Sequence, residues 1–406
     1  MVKPIYGLKD APRAWQKKLH QILTEAGLRQ LCADSQLYAN HEPHSGSARQ
    51  RRIRCLLSTH VDDLKGAAQR KHAERLLALL EAKVGKCKQE WGKFVHTGVE
   101  HEQLDDGSVY CHQKAYAKQL RSMDPNRWKG VAEDTLVGPE LHAAYMSLLG
   151  GAAWMVITRA DVAVYIQALQ RRAHAPRVTD LKRLNLVVRY MQRHPLGIRY
   201  QRMSEPVRLV CYSDAAFKAI PEEGSGLALR GCCIMLVTDA PDKPASPDGR
   251  CHVLEYASKR QRRVQRSTYS AELNGVIDTV ETGILIQIAF HQILYGCDDS
   301  PTTMARMLEE GRLQPPLDCV CDARAVFDSI AASDVCDPAE CSLKLHLLSI
   351  RDKIFVGIIK RFFWADTRDM IADCLTKGGV DRRIMSRALE MGLFILAHDF
   401  LVCSRS

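Results

Sequence analysis

No Cys-x-x-Cys pair occurs among the 15 cysteines of this 406-residue chain. The nearest approach to zinc spacing, Cys336 with Cys341, has no second pair, so no zinc framework is expected. A secretory leader is also lacking, which favours reduced thiols in the cytosol or nucleus over disulfides. No apolar run reaches the roughly 20 residues of a membrane span, and no internal repeat is visible. There is no glycine-rich phosphate loop: Gly224-Ser225-Gly226 has no helix start behind it and reads as a hairpin turn. What is present is enough length for two or three domains and an ordinary globular composition, 46% hydrophobic and 26% charged. The net charge of +10 suits a polyanionic partner.

Four carboxylates stand in comparable places. Asp214 ends the strand-like Leu209-Val210-Cys211-Tyr212-Ser213, and Asp322 ends Leu317-Asp318-Cys319-Val320-Cys321. Glu272 lies at the start of an apolar helix, and Asp373 follows the strand-like Ile358 to Trp364. Singly, each could be an ordinary strand-end or helix-start acid. Together they can converge at one edge of a sheet. Such a cluster repels itself unless divalent cations neutralise it, and two Mg²⁺ ions about 4 Å apart serve an in-line phosphodiester cleavage.

In this order and with these flanks, Tyr212–Ala216, Arg266–Leu273, Val320–Ala325 and Ile371–Lys377 resemble the ribonuclease H domain of copia-type retrotransposon Pol polyproteins. Upstream, Tyr6-Gly7-Leu8-Lys9-Asp10-Ala11-Pro12-Arg13-Ala14-Trp15 is similar to a segment of the same family's reverse transcriptase palm, with Asp10 where the family has Gln. The resemblance makes Lys9 and Arg13 nucleic-acid contacts. Ile53 to Leu64 resembles the polymerase hairpin, with His60 in place of Tyr. It implies that Asp62 ligates metal and that Asp63 supports the turn. The family's partner Asp comes from a strand before Tyr6, for which the chain has no room, nor for the fingers. Nucleotide polymerisation is therefore not expected of this chain.

Between these ends, Asn40 to Arg54 reads as a polar loop whose Arg49, Arg51, Arg52 and Arg54 either touch phosphate or are solvated. A helix is expected over Ala67–Val84, a strand over Phe94–Glu100, another over Ser108–Gln113, and a helix over Lys114–Leu120. Gly138 to Tyr200 reads as helical, broken by His194-Pro195-Leu196-Gly197, and its Leu148–Ala163 stretch resembles the family's connection helices. Strands are expected at Leu227–Arg230 and, after Gly231, at Cys232–Val237, followed by a Pro-rich turn over Asp239–Arg250. Lys259, Arg260, Arg262, Arg263 and Arg266 lead into the Glu272 helix and are expected to hold a duplex backbone. That helix would pack Ile277, Val280, Ile284, Ile288 and Ile293 on the sheet. His346 reads as a packed or solvent-facing residue more than as a catalytic one.

The expected fold is α/β. A partial reverse-transcriptase palm and thumb occupies 1–134, a helical connection 135–205, a ribonuclease-H-like mixed five-stranded sheet flanked by helices 206–385, and a C-terminal helix and tail 386–406. The resemblance implies metal-dependent hydrolysis of RNA in RNA–DNA hybrids, with Asp214, Glu272, Asp322 and Asp373 holding two Mg²⁺ ions. Its partners would be nucleic acid and the other polyprotein domains, integrase and polymerase fingers, with no membrane. The alternative reading is a catalytically inactive nucleic-acid-binding remnant of a retroelement.

Overall fold

The computed structural model describes residues 9–43, 50–217, 227–238, 246–296, 300–334, 338 and 340–404. Tyr6, Gly7, Leu8, Arg49, Gly224, Ser225, Gly226, Asp239 and Cys336, singled out above, lie outside the described residues. The chain is α/β and divides into two units, Met1–Trp91 with Ile284–Pro315, and Gly92–Gly283 with Pro316–Ser406. The described cysteines are free thiols, most of them buried.

In the first unit, α1 (Ala11–Glu25) precedes an antiparallel sheet in chain order, β1 (Arg29–Gln30), β2 (Leu37–His41), β3 (Ile53–His60) and β4 (Asp63–Ala68), and α2 (Arg70–Val84) follows. Period-2 alternation buries Cys55, Leu57 and Thr59 of β3. Leu19, Ile22 and Leu23 of α1 and Leu76 and Leu80 of α2 close the core over them. Gly27, at φ +81°, lets the chain leave α1. The second helix starts at Arg70, three residues later than expected, because Ala67 and Ala68 still pair with Leu56 and Cys55 of β3.

The second unit opens with β5 (Lys93–His96), β6 (Val99–Gln103) and β7 (Val109–His112). Phe94–Glu100 is thus two strands: Thr97 and Gly98, both at positive φ, fold it into a hairpin. Helices α3 (Lys114–Gln119), α4 (Pro139–Met155), α5 (Ala163–Arg171) and α6 (Val178–Arg193) then share an apolar core. Leu181, Leu184, Val188 and Met191 of α6 point into it, as their spacing predicts. Gly197–Tyr200, included above in the helical stretch, is strand β8, paired with β7 beyond the Pro195–Gly197 break.

The main sheet is built from β9 (Val207–Ala216), β10 (Leu229–Thr238), β11 (Gly249–Arg260), β12 (Leu317–Cys321) and β13 (Ile359–Ala365). The second unit's other helices are the first half of α7 (Thr268–Tyr295), α9 (Arg324–Ala331), α10 (Ser342–Val356) and α11 (Arg383–Met391), while α8 (Pro301–Glu309) belongs to the first unit. β9, β10 and β11 pair antiparallel, while β9, β12 and β13 pair parallel. β12 is buried along its whole length and reads as a near-continuous apolar run, the pattern of a central parallel strand.

The sheet has seven strands among the described residues, where five were expected, in the order β14 (Leu393–Phe394), β11, β10, β9, β12, β13, β15 (Phe400–Ser404). The additions, β14 and β15, come from the C-terminal tail. Asp248 and Asp369 hold that tail by accepting the Leu396, Ala397 and His398 amides.

β10 runs unbroken through Gly231, where two strands were expected. A Cβ there would stand 2.8 Å from the Ala372 carbonyl oxygen and from Thr376 Cγ2, so glycine lets the 370s turn lie close on the strand. α7 approaches β9 by the same means. A Cβ on Gly275 would meet Ser213 Oγ at 3.1 Å, and one on Gly283 would overlap Cys211 Sγ. Ala271, Leu273, Val276 and Val280 are the buried apolar positions of this half of α7. The expected stripe is corrected in part: Ile277 is only half-buried, and Ile284, Ile288 and Ile293 belong to the first unit. α7 is long and apolar enough to cross a membrane, and in this structure its Leu273, Val276 and Val280 are buried within the second unit.

Candidate functional site

Register brings the acids together. β9 and β12 run parallel with Cys321 beside Ser213, so the next residues, Asp322 and Asp214, emerge side by side. On β9, Cys211 and Ser213 face the glycines of α7, while Val210 and Tyr212 face the opposite core. Alternation puts Asp214 on that second face, against the turn of Ile371–Leu375. Glu272 comes from α7 and reaches around the strand end, where Oε2 accepts the Ala215 amide at 3.0 Å.

One carboxylate oxygen each from Asp214, Glu272 and Asp322 lies within 4.8 Å of the others, the one such group among the described residues. Asp373 joins them through a cation. Lys377 Nζ is 2.7 Å from Asp373 Oδ1, 3.5 Å from Asp214 Oδ1 and 3.9 Å from Asp322 Oδ2. The Thr376 hydroxyl donates to the other oxygen of Asp214. Asp214, Glu272 and Asp373 are buried and Asp322 nearly so.

Burial, with the nearby charges of Asp214 and Asp322, pushes the Glu272 carboxyl up to about 9. Burial and Asp214 raise Asp373 to about 7, against the pull of Lys377. Asp322 is also raised, by burial and then by Asp214. Burial opposes the charge of Lys377, but Asp214 and Asp373 outweigh it and hold the ammonium above its ordinary range. In the metal-free protein, protons and one lysine therefore balance the cluster. An all-oxygen donor set of this size, without thiolate or imidazole, fits a hard divalent cation such as Mg²⁺.

The remaining candidates lie apart from this cluster. Asp62 and Asp63 are exposed at the β3–β4 turn, where Val61 has φ +54°. Trp15 Nε1 donates to the Val61 carbonyl at 2.7 Å, so α1 braces that turn. Lys9 and Arg13 are exposed at the start of α1. Lys259 and Arg260 end β11, and Arg262, Arg263 and Arg266 are exposed on the connection into α7, ahead of Glu272. Arg54, expected in the loop, is a residue of β3. His346 is half-buried on α10 and, among the described residues, bonds to none of the four acids. Thr376 and Lys377 lie in the Ile371–Lys377 stretch that carries the resemblance, but the sequence reading gives them no role. The signal was the i, i+4 spacing of Lys377 after Asp373, which lets the two side chains meet.

No family model matches the chain. Over 399 residues it is 25% identical to the "Retrovirus-related Pol polyprotein from transposon RE2" of Arabidopsis thaliana, a match covering 92% of this chain and 24% of that protein. A second protein of the same plant, the "Retrovirus-related Pol polyprotein from transposon RE1", is 23% identical over 393 residues, again 92% and 24% of the two chains. The chain spans about a quarter of the length of these curated relatives.

Proposed function

We propose that this chain, related over 92% of its length to retrovirus-related Pol polyproteins, cuts the RNA strand of RNA–DNA hybrids at the Asp214 cluster. The observation that carries this reading is the meeting of Asp214, Glu272 and Asp322 at one strand end, with Asp373 tied in by Lys377. The strand order β11-β10-β9-β12-β13, antiparallel and then parallel, supports a ribonuclease-H-like fold for this part of the chain. In the first unit, the helix after Asp10 and the Asp62–Asp63 hairpin support a palm-like origin. Polymerase chemistry is not assigned to it, since among the described residues no third acid joins that pair in a metal-binding group.

Asp214, Glu272, Asp322 and Asp373 would hold two Mg²⁺ ions, whose chemistry when bound would be to activate water and to offset charge on the leaving 3′ oxygen. The protein's own part is to aim the ligands. The Ala215 amide orients Glu272, Thr376 orients Asp214, and Lys377 balances the charge of the metal-free site. Lys259, Arg260, Arg262, Arg263 and Arg266 hold the phosphate backbone beside Glu272. Groove shape and the 2′-hydroxyl then select the hybrid, without base readout.

The test is incubation of the full chain with end-labelled RNA–DNA hybrid, RNA duplex or DNA duplex, in Mg²⁺ or in chelator. Cleavage confined to the hybrid RNA and to Mg²⁺ is expected. A folded chain that binds hybrid and cuts none of the three would make it a binding remnant.

A further inference from the structure

The loop after Asp373 is held from outside the acid cluster by one guanidinium. Arg382 Nε donates to the Asp161 carbonyl at 2.9 Å. Nη1 donates to the carbonyls of Val380 at 2.9 Å and Gly378 at 3.4 Å, and Nη2 to those of Lys377 at 3.0 Å and Cys374 at 3.4 Å. A guanidinium has five N–H groups, and here each finds a main-chain oxygen. Four of those oxygens belong to residues 374–380, the stretch that carries Thr376 and Lys377 and directly follows Asp373. The fifth belongs to the segment between α4 and α5.

That outer anchor is itself fixed. Asp161 is fully buried and takes a two-bond clasp from Arg159, with both distances 2.8 Å. Tyr165 of α5 completes the support. Its ring lies 4.5 Å beneath the Arg382 guanidinium, and its hydroxyl donates to the Gly378 carbonyl at 2.7 Å. The helices of residues 139–193 are thereby joined to the loop that sets Lys377.

We propose that Arg382, seated on Tyr165, is a positioning residue for the acid cluster, and that through it the helical segment forms part of the nuclease site. The proposal rests on the reading of that cluster as a metal-dependent nuclease. The Arg382 hydrogen bonds go to main-chain oxygens and to none of the four acid side chains. It fixes the backbone from which Asp373, Thr376 and Lys377 reach them. Lysine cannot replace it, because an ammonium has three donors and no planar fork.

The experiment compares full-length wild type with Arg382→Lys, Arg382→Ala and Tyr165→Phe. Mg²⁺ affinity is measured by titration calorimetry with Mg²⁺ alone, and kcat and KM on labelled hybrid. Supporting residues behind metal ligands typically contribute about 10- to 100-fold in affinity or activity. Both Arg382 variants should therefore weaken Mg²⁺ binding and lower kcat by at least about tenfold, with hybrid KM within about twofold of wild type. Millimolar methylguanidinium should restore part of the activity of Arg382→Ala and none of that of Arg382→Lys. Tyr165→Phe, which keeps the ring and loses one bond, should show the same changes more weakly. Unchanged Mg²⁺ affinity and kcat in a folded Arg382→Lys would overturn the proposal. If that variant does not fold, unchanged values in Tyr165→Phe would overturn it. Wild type that binds Mg²⁺ yet never cuts hybrid would instead sink the nuclease reading, and the Mg²⁺ titrations would still decide the role of Arg382.

Discussion

Asp214 and Gly231 are partners across the β9–β10 ladder, and the acid depends on the glycine. The missing side chain of Gly231 leaves room for Ala372, Leu375 and Thr376, and Thr376 in turn donates to Asp214. One position on a neighbouring strand thus decides how close the Asp373 turn can come to the acid at the centre of the cluster.

Gly231→Ala should force that turn outward. The new Cβ would stand 2.8 Å from a main-chain oxygen, which cannot rotate away. Overpacking of this kind costs about 1–3 kcal/mol. Urea unfolding should show that loss, and Mg²⁺ affinity should fall with it. Wild-type stability and affinity in this variant would mean the turn has slack that the packing does not suggest.

Glu272 and Asp373 tie stability to pH. Their ordinary values are 4.5 and 3.8, and in the folded, metal-free protein they rise to about 9 and about 7. Above about pH 4 the folded state therefore holds more protons than the unfolded state, so raising the pH favours unfolding. Their contribution is fully present below pH 3.8 and is lost as pH rises toward 7 for Asp373 and 9 for Glu272. Denaturation in chelator at pH 5, 7 and 9 should show falling stability. Saturating Mg²⁺ should flatten the trend and release protons on binding. A curve in chelator that is flat over this range would contradict it.

Lys377 serves as the counter-ion of the acid cluster when no metal is bound. Lys377→Met keeps the stem and removes the charge that bridges Asp214, Asp322 and Asp373. In chelator at pH 8 the variant should lose about 1–3 kcal/mol, the usual result of stranding a buried partner. Thermal unfolding should then show a larger Mg²⁺-induced rise in Tm than in wild type. Equal Tm shifts in the two proteins would remove the counter-ion role.

The exposed cations before Glu272 should act through phosphate. Neutralising Arg262, Arg263 and Arg266 together should lower hybrid affinity. The salt dependence of binding should flatten by roughly 2–3 units of log–log slope, at about 0.7–0.9 per lost contact. Fluorescence anisotropy at several salt concentrations measures this, and an unchanged slope would leave these residues as solvated surface.

Much of the site was legible as local pattern. Apolar strand residues ending in an acid are visible at Leu209–Asp214 and Leu317–Asp322, and Asp373 with Lys377 carries helical spacing. What no local pattern carries is register. That Cys321 lies beside Ser213, so that two acids 108 residues apart emerge together, is a property of the assembled sheet. Gly231 misled for the same reason: it reads as a break between strands until the turn packed on it is known. The tail strands escaped notice because Asp248 and Asp369, far away in sequence, hold the chain there by its amides. Arg382 was unremarkable in sequence because its five acceptors are all backbone.

Asp214→Asn tests the central claim most directly, since it removes one charge at nearly constant shape. The full chain and this variant are compared on labelled RNA–DNA hybrid in Mg²⁺. Asp328→Asn serves as control, an acid on α9 whose partner is Arg324. The account predicts that wild type and Asp328→Asn cut the RNA strand. Asp214→Asn should bind hybrid as well as wild type and lose cleavage by at least about 10³-fold, about 4 kcal/mol of transition-state stabilisation. Cleavage by Asp214→Asn at the wild-type rate would contradict it.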